Sequence, residues 1–173
     1  MTECKLHLIQ SSEGVARAAR LAEAIWREYY TDILGKAQVD YMLAHLQSAA
    51  AIRCQIMQEA YCYFLVEREG DLIGYAAVQE QGESLFLSKL YLLHSARGKG
   101  AASQVLAELE QMAHEKGLSR IWLTVNRNNQ NSIAIYQKKG FRILREEAAP
   151  IGGGFVMDDY IMEKELNGKV HGS

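Results

Sequence analysis

The sequence predicts a mixed α/β fold, in which a mostly antiparallel sheet contains one parallel βαβ pair and carries helices on both faces. Apolar residues recur with helical spacing through most of the first 58 positions, and from Tyr61 the period changes to two, as in strands. A glycine-rich turn then leads into a helix between two short apolar strands, and a right-handed crossover makes such strands parallel. Together these observations predict helices packed on both faces of one mixed sheet.

The first third of the chain is predicted to be helical after a single strand. Polar and apolar residues alternate near the N-terminus, and a serine then stands where a helix cap is expected. In order, the predicted elements are a strand over residues 5–10, a helix from Ser11 or Ser12 to about Tyr30, a break over residues 31–36, a helix over residues 37–47, and a further turn or two over residues 49–58.

The rest of the chain is predicted to form a meander of three strands and then to alternate helices and strands. Gly117 and Gly140 stand where two of the helices should end. No change of composition marks a second domain, so we expect one domain over residues 1–166 and a flexible tail over residues 167–173. The predicted elements are strands over residues 61–66, 72–79 and from about 84, a helix over residues 98–116, a strand over residues 121–125, a helix over residues 129–139, and strands over residues 141–147 and 155–165 joined by residues 149–154.

The composition excludes several classes of function. The chain has 173 residues, of which 49% are hydrophobic and 23% charged, with a formal net charge of -2, so nucleic acid is not an expected partner. Cys4, Cys54 and Cys62 lack CxxC spacing, which argues against a disulfide framework and against a metal site. No apolar run approaches ~20 residues. The N-terminus also lacks a secretion signal, so we expect no membrane partner and a cytoplasmic location.

The turn before the third predicted helix has the features of a phosphate-binding loop. Gly98 and Gly100 have no Cβ, so the backbone can approach a bulky anion, and the first N–H groups of the helix have no helical partner. Arg97 and Lys99 add positive charge beside those donors. The loop is therefore predicted to bind a phosphate-containing ligand.

Spacing separates the loop from two familiar phosphate-binding patterns. A P-loop needs Ser or Thr directly after its Gly-Lys pair, and the residue after Gly98-Lys99 is Gly100. It also needs a glycine five places before the glycine of that pair, and the residue five places before Gly98 is Leu93. A dinucleotide-binding loop needs a third glycine where Ser103 stands. The pattern R-x-x-G-x-A over residues 97–102 resembles instead the acetyl-CoA pyrophosphate loop of the GNAT N-acetyltransferase superfamily.

A second motif downstream supports the same resemblance. Asn129, Ser132 and Tyr136 share one face of a predicted helix that ends at Gly140-Phe141. This segment is similar to the GNAT pattern N-x-x-A/S-x-x-x-Y-x-x-x-G-F, and it follows the glycine loop by the length of about one βαβ unit. The element order also resembles the GNAT topology, in which the parallel strands splay apart to hold CoA.

The resemblance implies an N-acetyltransferase with acetyl-CoA as co-substrate and no metal. It implies that the backbone of Leu90 and Leu92 pairs with the pantetheine arm, that Asn129 and Ser132 contact the coenzyme, and that Tyr136 stands beside its sulfur. The residues that it assigns to the pyrophosphate are Arg97, Gly98, Lys99, Gly100, Ala101 and Ala102.

Aminolysis of a thioester needs a donor for the developing oxyanion, an acid for the departing thiolate and a base for the amine. The Leu92 N–H is a candidate oxyanion donor, and Tyr136 is a candidate general acid. Many relatives carry a glutamate on the strand before the loop, and this chain does not. Glu83, Glu80 or an ordered water chain are the candidates for the base.

The acceptor is expected to be a small amine or a polyamine, because the last strand resembles that of small-amine acetyltransferases. Trp26, Tyr29 and Tyr30 are candidates for an aromatic wall around it, although aromatic residues at helical spacing are commonly core residues. Either Asp158 or Asp159 could hold a cationic amine, since neighbours on a strand face opposite sides. Alternatives are acetylation of a protein N-terminus or lysine, and a non-catalytic acyl-CoA sensor. A homodimer and a longer acyl group both remain open.

Overall fold

The structure is a computed structural model that describes residues 3–166. The predicted tail over residues 167–173 lies outside the described residues. None of the helices within residues 3–166 combines the length and the hydropathy that a membrane span requires.

The described chain folds into seven strands and five helices, and the predicted fold class is confirmed. A short 3₁₀ turn, His94–Ala96, precedes the glycine loop. The elements are β1 (Cys4–Leu8), α1 (Ser12–Leu34), α2 (Lys36–Leu46), α3 (Ala49–Gln58), β2 (Cys62–Arg68), β3 (Asp71–Gln81), β4 (Ser84–Leu92), α4 (Ala101–Glu115), β5 (Arg120–Asn126), α5 (Gln130–Lys138), β6 (Arg142–Gly152) and β7 (Phe155–Glu165).

The strands form one sheet in the order β1-β2-β3-β4-β5-β7-β6. Strands β1 and β2, β2 and β3, β5 and β7, and β6 and β7 pair antiparallel. The parallel pair is β4 with β5, as the crossover through α4 predicts, and its register runs from Ser84 opposite Arg120 to Leu87 opposite Leu123. Residues 88–92 of β4 therefore lie beyond the parallel register.

Among the element boundaries that differ from the predicted ones, three are set by glycine conformation. Helix α1 continues to Leu34, so the break predicted over residues 31–36 is wrong: the helix ends only at Gly35, which has a φ of 88°. Helix α4 begins at Ala101 and not near Gly98. Strand β6 extends through most of the predicted linker to Gly152, and the glycines of positive φ that follow form its turn.

The described residues group into two compact units. The first comprises residues 3–79 and 89–105. Its core is built from α1, α2 and α3 with β2 and β3, and it includes the fully buried side chains of Ile25, Ile52, Tyr63 and Tyr75. Tyr75 donates a hydrogen bond to Gln47 Oε1 at 2.6 Å, and Gln47 Nε2 donates to the Tyr63 hydroxyl at 2.9 Å, so these three buried side chains satisfy one another.

The second unit comprises residues 80–88 and 106–166. Its core is aliphatic, and its buried side chains include Leu87, Leu109, Leu123 and Met162. The ion pair between Lys164 and Glu110, at 2.9 Å, joins β7 to α4 within this unit. The single domain predicted over residues 1–166 stays a prediction.

Candidate functional site

The glycine loop of the first unit has the conformation that a phosphate-binding loop requires. Gly98 and Gly100 have φ values of 77° and 80°, in the left-handed region that favours glycine. A Cβ added to Gly98 would meet nothing within 4 Å, so the backbone conformation and not crowding explains the glycine there. The chain enters α4 directly after Gly100, and Gln104 N–H donates to the Gly100 carbonyl at 3.1 Å. The N–H groups before Gln104 stand in the first turn of the helix, where they have no helical acceptor.

The two cations of the loop have different surroundings. Lys99 is exposed, and no ion pair is found for it within residues 3–166. The Arg97 guanidinium lies over the Tyr29 ring at 4.2 Å, and its Nε donates to the Leu92 carbonyl at 3.4 Å. Its Nη2 is also 3.8 Å from a carboxylate oxygen of Glu28. The Arg97 side chain therefore contacts α1 and the end of β4.

The end of β4 is held tightly against β3. Leu93 N–H donates to the Ile73 carbonyl at 2.8 Å, and the Leu92 side chain is buried. A Cβ on Gly74 would lie 2.8 Å from Leu92 Cδ2, so only glycine fits there at this separation. These contacts fix the segment that carries Leu90 and Leu92, whose backbone roles stay predictions.

Trp26 and Tyr30, two of the predicted acceptor residues, are 2% and 3% exposed and belong to an aromatic cluster. Tyr29 is half-buried in the same cluster, with its ring centroid 5.7 Å from that of Tyr30. Tyr91 joins all three: its ring centroid lies 5.5 Å from that of Trp26, and its hydroxyl lies 3.0 Å from that of Tyr30. Of the three, Tyr29 is the most exposed, and the acceptor role of the group stays a prediction.

Sequence patterns do not single out Tyr91, and they favour a solvated position for Glu28 over a place beside the amine. Tyr91 stands between Leu90 and Leu92 on β4, and a β period of two would have placed it on the opposite face from both leucines. Glu28 looks like a solvated helix residue in the sequence, and only the fold brings it to His94, 66 positions later in the chain.

In the second unit, Asn129 caps helix α5. Its Oδ1 accepts a hydrogen bond from Ser132 N–H at 3.4 Å, and its own N–H donates to the Asn126 carbonyl at 2.9 Å. Asn126 Oδ1 in turn accepts from Asn128 N–H at 2.9 Å. Two of the residues predicted to contact the coenzyme, Asn129 and Ser132, thus build the start of the helix.

Tyr136 is 8% exposed and packs edge-on against Phe141, with 5.6 Å between the ring centroids. Phe141 N–H donates to the Tyr136 carbonyl at 3.0 Å, and Gly140, with a φ of 101°, makes the turn between them. The motif residues Tyr136, Gly140 and Phe141 therefore form one compact helix end, which fixes the position of the tyrosine.

The predicted acidic residues lie at two places in the second unit. Asp158 is exposed and stands 3.9 Å from Arg127, which also pairs with Glu146 at 2.8 Å. Asp159 is partly buried and is opposite Asn126 in the β5–β7 register. The two carboxylates face opposite sides of β7, as the strand period predicts.

Glu80 lies near the end of β3, and Glu83 lies in the turn directly before β4. The Glu83 carbonyl accepts a hydrogen bond from Ser119 N–H at 2.7 Å, and Glu80 pairs with Lys116 at 3.1 Å. Strand β4 continues to Leu92, a length of roughly 25 Å at ~3.3 Å per residue. These contacts join the turn between β3 and β4 to the end of α4 and the start of β5, and the role of base stays a prediction. Within residues 3–166, no three His, Cys, Asp or Glu side chains come together as a metal site.

Comparison with known proteins gives the family. Residues 19–141 match the sequence model of the Acetyltransferase (GNAT) family. An uncharacterized N-acetyltransferase of Mycobacterium tuberculosis is 35% identical over 99 residues, which are 57% of this chain and 63% of that protein. The match thus spans somewhat less than two thirds of that relative.

Solved structures show the same fold across almost the whole chain. The PaiA N-acetyltransferase of Thermoplasma acidophilum in complex with coenzyme A is 21% identical, with a TM-score of 0.77 and coverage of 95% of this chain and 99% of that one. A GCN5-related N-acetyltransferase of Rhodopseudomonas palustris gives 16% identity, a TM-score of 0.79 and coverage of 95% and 97%. With the family match over residues 19–141, these findings establish that the chain belongs to the GNAT acetyltransferase family.

Proposed function

We propose that this protein transfers an acetyl group from acetyl-CoA directly to a primary amine. The observation that carries the proposal is the glycine loop: two glycines of positive φ lead straight into the first turn of α4, with an exposed lysine between them. Helix N-termini of this kind bind phosphate groups through backbone N–H donors and the helix dipole. Family membership and the coenzyme A complex of the Thermoplasma relative agree with a CoA pyrophosphate as the ligand.

In this proposal the chain holds the donor at three points. Lys99 and the backbone of residues 97–102 bind the pyrophosphate. The backbone of Leu90 and Leu92 pairs with the pantetheine arm, at the part of β4 that lies beyond the parallel register with β5. Asn129 and Ser132 start helix α5 and contact the coenzyme.

The chemistry follows from these positions. The amine nitrogen attacks the thioester carbonyl, and the Leu92 N–H donates a hydrogen bond to the oxygen on which negative charge develops. The carbon–sulfur bond breaks as Tyr136 gives its proton to the departing thiolate. The proton of the amine leaves through ordered water. No covalent enzyme intermediate is needed, so the reaction requires no cysteine nucleophile.

The acceptor that we propose is a small amine or a polyamine. The acidic pair supports this choice, because whichever of Asp158 and Asp159 faces the acceptor can hold the ammonium group of a second amine while the first reacts. The half-buried Tyr29, whose ring also carries the Arg97 guanidinium, adds apolar surface that suits an alkyl chain.

We also propose that the protein works in the cytoplasm and forms a homodimer. All three cysteines are free thiols, with Cys4 buried and Cys54 and Cys62 exposed, as expected in a reducing compartment. Strand β6 stands at the edge of the sheet, where Ile143 and Leu144 are 38% and 41% exposed, and a second copy would cover them.

The test is titration with CoA followed by thioester consumption. Isothermal titration should show binding of CoA and acetyl-CoA, and the variant Lys99→Glu should weaken it. Release of CoA is then measured with a panel of mono-, di- and polyamines beside a peptide array. Absence of CoA binding overturns the proposal as a whole. Binding without turnover of any amine or peptide indicates an acyl-CoA sensor, and turnover of peptides alone indicates a protein acetyltransferase.

A further inference from the structure

Glu28 on α1 contacts both ends of the turn that leads from β4 into the glycine loop. Its Oε1 accepts a hydrogen bond from the His94 backbone N–H at 3.2 Å and lies 3.8 Å from Arg97 Nη2. His94 begins the 3₁₀ turn, and Arg97 follows its last residue, with its N–H donating to the His94 carbonyl at 3.2 Å. One carboxylate oxygen of Glu28 thus contacts both His94 and Arg97, the two residues that the backbone hydrogen bond of the turn also joins.

The Arg97 side chain is held from three directions. Tyr29 lies under the guanidinium, Glu28 stands beside it, and the Leu92 carbonyl accepts from Nε. Only 28% of the side chain is exposed. The guanidinium thus directs Nε and Nη2 at protein groups and lays its face on Tyr29, whereas the exposed Lys99 keeps its ammonium available for an anion.

We infer that Glu28 and Arg97 are a positioning pair, which fixes the end of β4 and the start of the glycine loop against α1. The effect of this pair on catalysis rests on the proposed function. The inference assigns the Arg97 side chain to holding the end of β4 at Leu92, and not to binding the pyrophosphate. In this arrangement Lys99 and the first turn of α4 bear the pyrophosphate. The pair acts on the reacting end of the donor, through the segment whose Leu92 N–H faces the oxyanion.

Amide hydrogen exchange tests the structural role of the Glu28–Arg97 pair independently of catalytic activity. In the ligand-free protein, Glu28→Ala should speed exchange of the His94 amide about tenfold, as expected for loss of one charge-assisted hydrogen bond. Arg97→Ala should speed exchange at Arg97 and its neighbours. Lys99→Ala should leave His94 unchanged, as should the matched control Glu23→Ala, since Glu23 lies on the same helix and pairs with Arg27 at 3.4 Å.

Two acetyl donors test the reassignment of Arg97. Acetyl-CoA carries the pyrophosphate, and S-acetylpantetheine is the same thioester without it. Glu28→Ala and Arg97→Ala should lower kcat/KM by a similar factor, about tenfold, with both donors, because a displaced oxyanion donor affects either one. Lys99→Ala should lower kcat/KM with acetyl-CoA only. The double variant should lose little more than either single variant, because the two residues act as a unit.

The inference is overturned if Arg97→Ala behaves like Lys99→Ala, with a loss confined to acetyl-CoA, or if His94 exchange is unchanged in Glu28→Ala. A wild-type protein that binds no CoA and consumes no acetyl donor overturns the proposed function instead. The exchange measurement still decides the structural role of the pair in that case, so the two failures are distinct.

Discussion

Gly74 lies so close to Tyr91 that a Cβ on the glycine would stand 2.2 Å from the Tyr91 carbonyl oxygen. The clashing oxygen belongs to the backbone, so rotation of a side chain cannot relieve the clash. We expect Gly74→Ala to lower the free energy of unfolding by about 1–3 kcal/mol, the usual range for overpacking. Urea unfolding measures the change.

The control for this variant is Gly82→Ala. Gly82 has a φ of 62° but nothing within 4 Å of an added Cβ, so it reports the conformational cost alone. Gly74→Ala should also reduce turnover with amines, because the same shift displaces Leu92. A Gly74→Ala protein as stable and as active as wild type would contradict the close approach.

Tyr136→Phe should separate chemistry from packing. The ring remains against Phe141, so its packing should persist and CoA affinity should stay near the wild-type value. Turnover should fall by about 10² to 10⁴, the range for loss of a general acid. Steady-state kinetics with acetyl-CoA measures it, with Tyr160→Phe in the same unit as the control. Unchanged turnover in Tyr136→Phe removes this residue from the mechanism.

Asn129→Ala should destabilise the protein through helix α5. The side chain accepts from Ser132 N–H, and loss of such a cap costs about 0.5–2 kcal/mol. Asn129→Asp should preserve stability, because aspartate caps equally well. If Asn129→Asp is stable and still loses CoA affinity, the residue contacts the coenzyme as well. If Asn129→Ala is as stable as wild type, the cap contributes nothing measurable.

Alkaline pH should destabilise the first unit through its buried tyrosines. Burial raises the pKa of Tyr63 and that of Tyr75 above their ordinary values. A raised folded-state pKa means that this contribution to stability is complete below the unfolded pKa of about 10 and is lost as pH rises above it. Above the unfolded pKa, each tyrosine lowers the free energy of unfolding by about 1.4 kcal/mol per pH unit, until the pH reaches its folded-state pKa.

The measurement is the free energy of unfolding between pH 8 and pH 11. Tyr75→Phe should flatten the alkaline decline, although it lowers stability at pH 8 by leaving Gln47 Oε1 without its donor. An equally steep decline in Tyr75→Phe would assign the alkaline loss to other groups.

The sequence predicted local features well, because short patterns encode them. The parallel pair follows from the glycine loop and its helix, and the end of α5 follows from Tyr136, Gly140 and Phe141. The start of α4 was placed too early, because the positive φ of Gly98 and Gly100 cannot be read from composition. Periodicity alone likewise cannot distinguish a linker from the extended β6.

The contacts of the candidate site could not be predicted, because they join distant positions. Glu28 meets His94 across 66 positions, and Tyr30 meets Tyr91 across 61. Glutamate on a helix is usually solvated, and nothing near Glu28 in the chain indicates a partner. The hydrogen bond between Ser132 N–H and Asn129 Oδ1 is local in the chain. The family pattern nevertheless predicts only that both residues contact the coenzyme, and it does not show that Asn129 caps the helix.

The irregular outer strand limits how this protein can assemble. Strand β6 carries register shifts at Ile143/Arg145 and at Pro150/Gly152, so its regular stretch runs only from Arg145 to Pro150. A strand added to this edge could form an unbroken ladder over that stretch alone, and Pro150 offers no N–H to extend it. Such an edge admits a short and specific pairing and resists the long, uniform stacking that leads to fibrils.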